Sequence, residues 1–251
     1  MKAFRCTLLA VAIGIAGAAA APMAHAGRRV ILCTLNWEPY YGEDLPRQGF
    51  FTALVRAAFK REGHPIKVEF MPWARAMLEV KQGDRDVLLG AYYTKKRAET
   101  YYASEPIYTD EVGIVARKAL GIHHFDSLHD LSKYTIGVGR GYSVNKEFDS
   151  ADYLHKEPEK SQVLNVRKLY AGRIDMIAGS FTRFRYLAKK QNRDLSKVVF
   201  LKPPLKKNTL HIMVSRAIPD GKKLLADFHR GLEAIRKDGT YDRILRQMGY
   251  K

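Results

Sequence analysis

The chain is short of cysteine, of acid and of long apolar stretches, and each shortage removes a class of protein. Only two cysteines, Cys6 and Cys33, stand in 251 residues. Cys6 precedes the one long apolar run, whereas a lipid-anchored protein carries its acylated cysteine at the end of it. Cys33 is the only thiol after that run, so a disulfide-stapled scaffold is excluded, and a chain of this length buries an adequate core without staples. Cys33 closes the apolar stretch Val30-Ile31-Leu32-Cys33 and reads as a packed core thiol, since no flanking pattern marks it as reactive. The eight histidines include His123-His124 but no H-x-x-x-H spacing. There is no Ser-His-Asp order and no phosphate loop, Gly139-x-Gly141 being too short a glycine signal. No metal and no cofactor is expected.

Acid is scarce beside base: 26 Asp and Glu against 43 Lys and Arg give a net charge of +17. Such a balance admits nucleic acid, an anionic membrane or an acidic small molecule as partner. The basic residues are nevertheless scattered through helical patterns. Their densest groups, Arg183 and Arg185 with Lys189-Lys190, and Lys202 with Lys206-Lys207, are modest. A solvated basic surface is the reading, with no nucleic-acid partner.

The apolar run itself, residues 7–21, follows Lys2 and Arg5 and leads to Ala24-His25-Ala26 before Gly27. A basic start, an apolar centre and small residues two apart are the pattern of a secretory signal peptide. A membrane span needs roughly 20 apolar residues, and Pro22 and His25 interrupt the end of this run. Residues 1–26 are therefore expected to be a signal peptide cleaved after Ala26, leaving a soluble, monomeric protein of the periplasm. The remaining 225 residues then alternate short apolar strands with amphipathic helices.

Residues 29–35 read as a buried strand. Phe51, Leu54, Val55, Ala58 and Phe59 fall on one face of a helix, stopped by Gly63-His64-Pro65. A strand over 66–71, a helix over 73–82 and a strand over 87–91 follow. The pattern restarts with strands at 134–138, 175–178 and 198–201 and helices at 159–171 and 183–191. After Pro203-Pro204 come a strand at 210–215, a long helix carrying Leu224, Leu225, Phe228, Leu232 and Ile235, and a last helix over 241–248. Strands separated by helices imply parallel pairing, because parallel strands need crossovers. The fold class is thus α/β with two lobes, each a mixed, mostly parallel sheet flanked by helices. The expected boundaries are 27–112 for lobe one, 113–208 for lobe two, and 209–251 returning to lobe one. Crossings near 110–115 and 204–211 make a two-strand hinge beside a cleft, a common place for a small-molecule site.

Several segments then carry a resemblance. Trp37-Glu38-Pro39-Tyr40 follows the first strand, Gly83-Asp84-Arg85-Asp86 precedes the third, and Thr94-Lys95-Lys96-Arg97 leads to Ser104-Glu105-Pro106-Ile107-Tyr108. Further along stand Asp130-Leu131, Ile136-Gly137-Val138 with Gly141, Gly172-Arg173-Ile174-Asp175 and Lys237-Asp238-Gly239-Thr240-Tyr241. In this order and spacing they resemble the family 3 extracellular solute-binding proteins, the polar-amino-acid binding components of ABC transporters, with a type II periplasmic binding fold. The resemblance implies a small-molecule ligand, an inner-membrane ABC permease or a sensor as partner, and no catalysis.

It also implies site residues. Arg97 matches the arginine that grips a ligand carboxylate, a task suited to the parallel donors and permanent charge of guanidinium. By charge pattern alone Arg97 is a surface residue beside Lys95 and Lys96. Ser143, in Arg140-Gly141-Tyr142-Ser143, matches the second-lobe segment that meets the same carboxylate. Gly141 allows close backbone approach; an ordinary turn into a helix reads equally well. Trp37 and Tyr40 stand where the family places aromatic cleft walls, and Tyr92 where a small hydroxyl residue is usual. Trp73 and Arg75 resemble a subgroup with a Pro-Trp-x-Arg segment, Arg75 being either an anion contact or a surface residue. Ser180 occupies the place of the acid that pairs with a ligand ammonium. An unpartnered ammonium is costly to desolvate, so the expectation is an anion without an amine. A periplasmic enzyme such as a dehydratase is the alternative; it needs an acid in the cleft, and Glu38 is the best candidate the sequence offers.

Overall fold

The computed structural model describes residues 27–141 and 143–250; the expected signal peptide and Tyr142 lie outside the described residues. The first half begins with β1 (Val30–Thr34), α1 (Phe50–Arg61), β2 (Ile66–Phe70), α2 (Trp73–Gln82) and β3 (Val87–Tyr92). A short α3 (Lys95–Thr100) and β4 (Tyr101–Ala103) lead into the ten-residue β5 (Tyr108–Arg117). The second half contains β6 (Thr135–Gly139), α4 (Lys146–Ser150), β7 (His155–Glu159), α5 (Gln162–Tyr170), β8 (Met176–Ser180), α6 (Phe181–Lys190) and β9 (Val198–Phe200). The chain returns through β10 (Lys206–Ser215) to α7 (Gly221–Lys237) and α8 (Thr240–Met248).

All ten strands join one sheet in the order β2-β1-β3-β10-β5-β8-β6-β7, with β4 beside β10 and β9 beside β5. The outer pairs β1–β2, β1–β3, β6–β7 and β6–β8 are parallel. The middle is antiparallel: Lys206 faces Val112 and Leu210 faces Tyr108 along β5–β10. Each long strand serves both halves. Upstream of Val112, β5 pairs with β10; beyond it, β5 pairs with β8 and β9.

Strands buried on both faces read as unbroken apolar runs, and successive residues supply opposite layers. Leu32, Leu89 and Ile212 pack with α1, α7 and α8, while their neighbours Cys33, Leu88 and Met213 pack with α2. In the second half Ile114 and Ala178 face one layer, Val115 and Ile177 the other. Cys33 is fully buried, its thiol against the Ala76 carbonyl, and burial pushes it up to about 12. That is the packed core thiol the sequence predicts.

The first-half layers fit closely at two glycines. Gly90 has φ +78°, and a Cβ there would lie 2.1 Å from the ring of Tyr41, whose hydroxyl donates to the Gly90 carbonyl at 2.6 Å. Gly231 of α7 crosses α1 so closely that a Cβ would come within 2.0 Å of the Ala58 carbonyl oxygen.

Several elements differ from the sequence reading, which assigns nothing at α3, β4, α4 and most of β7. β5 is a strand throughout, and β10 begins four residues before the expected start. The polar Lys206-Lys207-Asn208 shows no apolar alternation, yet it pairs with β5. Glu159, expected to open a helix, ends β7, and α5 starts at Gln162 behind a Ser161 cap that accepts from the Val163 amide. Gly231→Ala must push α1 and α7 apart and is expected to cost about 2–3 kcal/mol, read as a lower urea midpoint with unchanged slope.

Candidate functional site

The face of the central ladder that looks out between the halves is set by register. Asp110 pairs with Asn208, and Val112 with both Lys206 and Ser180. Cross-strand partners point to the same side of a sheet. These residues form the floor of a cavity of about 310 Å³ that both halves line. Trp37, Tyr40 and Tyr92 supply the wall from the first half; Arg140, Ser143, Lys160, Gln162 and Arg183 stand on the second.

The aromatic wall is packed as a unit. Trp37 lies 4.5 Å from Tyr40 and edge-on to Tyr92 at 5.3 Å between ring centroids. Their polar ends converge on Asp110. Tyr92 Oη donates to Asp110 Oδ2 at 3.2 Å, Ser180 Oγ donates to Asp110 Oδ1 at 2.8 Å, and the Tyr40 and Ser180 hydroxyls are 3.0 Å apart. Burial pushes the Asp110 carboxyl above the usual carboxylate range, and these hydroxyls only partly offset it. Burial and the neighbouring Asp110 push the Tyr40 phenol well up. A second buried acid, Asp227, makes the contrast. Its burial also raises it, but Lys223, His64 and Arg230 outweigh that and hold it at about 2. Among the described residues Asp110 has hydroxyls and no cation as partners.

Ser180 has a local reason to be serine. It caps α6, accepting from the Arg183 amide at 3.1 Å, the favoured use of a short hydroxyl at a helix start. No acid stands at position 180 itself; Asp110, one strand over, is the carboxylate that Ser180 reaches on the cavity floor. A signal for Asp110 exists in the sequence: it shares the two-residue period of Ile114 and Ala116, both fully buried.

The other expected residues fall in two groups. Trp37, Tyr40, Tyr92, Ser143 and Ser180 are brought together on the cavity. Ser143 Oγ donates to Asp149, which also accepts the Val144 amide at 3.1 Å. Arg97, Arg75 and Gly141 are not among its lining residues. Thr94 caps α3 through the Arg97 amide, and the guanidinium folds back to the Tyr92 carbonyl at 2.7 Å, 5.6 Å from the Trp73 ring. Arg75 pairs with Glu79 one turn on, at 2.6 Å, with a largely exposed side chain. Gly141, at φ +74°, borders an adjoining hollow with Gly139 and Arg140. Glu38 lies outside the cavity, against Tyr186 and Lys190. Among the described residues no group of His, Cys, Asp and Glu is placed to hold a metal ion, and no helix is long and apolar enough to cross a membrane.

The family model described as bacterial extracellular solute-binding proteins, family 3, matches residues 31–249. No curated protein sequence matches the chain. Among solved structures it is similar to substrate-binding domain 2 of Lactococcus lactis GlnP in an open conformation: TM-score 0.73, 21% identity, 87% of this chain and 94% of that one. It is similar to a polar amino acid ABC uptake transporter substrate-binding protein from Streptococcus thermophilus: TM-score 0.71, 21% identity, 88% and 85%. It also resembles a histidine kinase sensor domain with similarity to periplasmic binding proteins: TM-score 0.61, 21% identity, 88% and 96%. The shared fold is the type II periplasmic binding fold.

The Asp110 shift carries a sign. Its folded carboxyl keeps a proton at a pH where the unfolded one, near 3.8, has lost it. That contribution is complete below the unfolded value and is lost as pH rises through the raised one. Asp110→Asn removes the penalty and is expected to raise the neutral-pH thermal midpoint by about 2–4 °C. Midpoints of parent and variant should converge as the pH is lowered through the carboxylate range.

Proposed function

The chain belongs to the bacterial extracellular solute-binding proteins of family 3, and we propose that it captures a small polar solute in the cleft between its halves for import by an ABC permease of the inner membrane. The observation that supports this reading is the cavity on the β5–β10 ladder, lined from both sides. A solute that touches both halves favours their closed arrangement by as much as its contacts in that state exceed those in the open one. The ladder is the natural hinge, because among the described strands β5 and β10 run from one half into the other.

The cavity describes its solute. Arg140 and Lys160 offer donors to an anionic group, with guanidinium able to engage a carboxylate through two parallel bonds. Asp110 faces them as an acceptor framed by Trp37, Tyr40 and Tyr92, and aromatic faces attract a cation. A small solute with an anionic end and a donor-bearing or cationic end fits both. Amino acids therefore stand beside amine-free carboxylates as candidates. A sensor or chemoreceptor as partner is the second reading, motivated by the histidine kinase sensor domain that shares the fold. The expected localisation is the periplasm.

A thermal-shift screen of protein refolded free of carried solute tests this. The panel contains amino acids, amine-free mono- and dicarboxylates and inorganic anions. A solute at about 100 times its Kd adds roughly 2.7 kcal/mol, a clear shift. Arg140→Ala is expected to weaken the hit about tenfold, more than Arg97→Ala, and Asp110→Ala to weaken amine-bearing hits selectively. A hit weakened by Arg97→Ala and indifferent to Arg140→Ala and Asp110→Ala would overturn the placement of the site.

A further inference from the structure

Beyond the cavity, the two halves meet again at its outer edge. Glu38 sits between Trp37 and Pro39 in the first-half loop that carries the aromatic wall. Its carboxylate accepts the Tyr186 hydroxyl at 2.6 Å and lies 3.3 Å from Lys190 Nζ; its main-chain carbonyl accepts Arg183 Nη1 at 3.2 Å. All three partners stand on α6, in the second half. The neighbouring Trp37 and Tyr40 pack in the first-half core, whereas Phe181, Phe184 and Leu187 root α6 in the second. Each contact therefore joins one half to the other; Arg183 also lines the cavity, whereas Glu38, Tyr186 and Lys190 are not among its lining residues.

We propose that Glu38 is a positioning residue for solute capture, clasping the loop that carries Trp37 and Tyr40 to the helix that carries Arg183. The inference rests on the reading that the halves move, and it adds a contact that the solute does not make. Separation of the halves beyond this arrangement must break the Tyr186 and Lys190 contacts, so the clasp favours the arrangement in which both halves line the cavity over a wider one before any solute arrives. A population shifted toward the binding-competent form raises apparent affinity in proportion. The Tyr186 hydrogen bond, followed by Lys190, holds the Glu38 carboxyl below its ordinary range, as expected for an acceptor whose charged form is preferred. The Glu38 side chain is 40% exposed, so solvent screens the pair and the bias is modest: roughly three- to tenfold.

The test reads distance without any solute. Lys60, at the end of α1, and Lys133, just before β6, are exposed on opposite halves while Cys33 is buried, so dyes attach selectively to the Lys60→Cys, Lys133→Cys protein. Single-molecule energy transfer then gives the populations of near and far arrangements. Glu38→Gln and Tyr186→Phe should each enlarge the far population roughly three- to tenfold, with the urea midpoint unchanged, and weaken the screen's best solute by the same factor. Two populations whose ratio neither variant alters would overturn the clasp and leave the binding function standing. One fixed distance in the parent and in both variants, with solute and without, would overturn the clasp and the moving halves together.

Discussion

The antiparallel ladder between β5 and β10 is the constraint on which the molecule depends. Five residue pairs, from Lys206 with Val112 to Leu210 with Tyr108, join the two halves of one sheet whose outer pairs are parallel. Parallel sheets need helical crossovers and are covered on both faces, so each half is closed by its own helices. Only the ladder can be shared. It fixes the floor of the cavity, since Asp110, Asn208, Lys206 and Val112 are neighbours by register, and its two strands carry the chain between the halves.

The local architecture was legible in the sequence wherever one physical signal dominated. The 3.6-residue period of Phe51, Leu54, Val55, Ala58 and Phe59 identifies α1, and all five are buried. The apolar run through Leu32 and Cys33 identifies β1. What stayed hidden are elements whose residues are polar for a tertiary reason. Lys206-Lys207-Asn208 looks like loop because its partner strand, not its own pattern, makes it strand. Asp110 is hard to find in the sequence because an acid in a crossing segment reads as solvated until the register turns it inward. Family position points to Trp37, Tyr40 and Tyr92, which line the cavity, and to Arg97, whose side chain turns to the end of β3. Side-chain direction is the part of a site that a motif specifies least.

The charge balance takes on a different aspect once the acids are located. With 26 acids against 43 basic residues, each buried carboxylate is set by its immediate company. Asp227 gathers three basic partners and stays ionised; Asp110 gathers hydroxyls and is driven toward its neutral form. An acid kept among hydroxyls in a protein so rich in cations is a selective environment, because the cavity's own lysines and arginines line it without pairing directly with Asp110 among the described residues. Stability and binding pull against each other there: the same burial that penalises the Asp110 charge strengthens any solute donor that reaches it.

Gly90 and Tyr41 have a consequence of a different kind. The ring occupies the space a Cβ at position 90 would need, and its hydroxyl closes on the carbonyl of the same residue. The two positions therefore behave in descent as one character. A lineage that loses the glycine first meets a clash, and one that loses the ring first leaves a hole beside a buried carbonyl. Either change alone is a valley, so among relatives the pair should be kept or replaced together, and covariation at 41 and 90 would date a repacking of the first half's core.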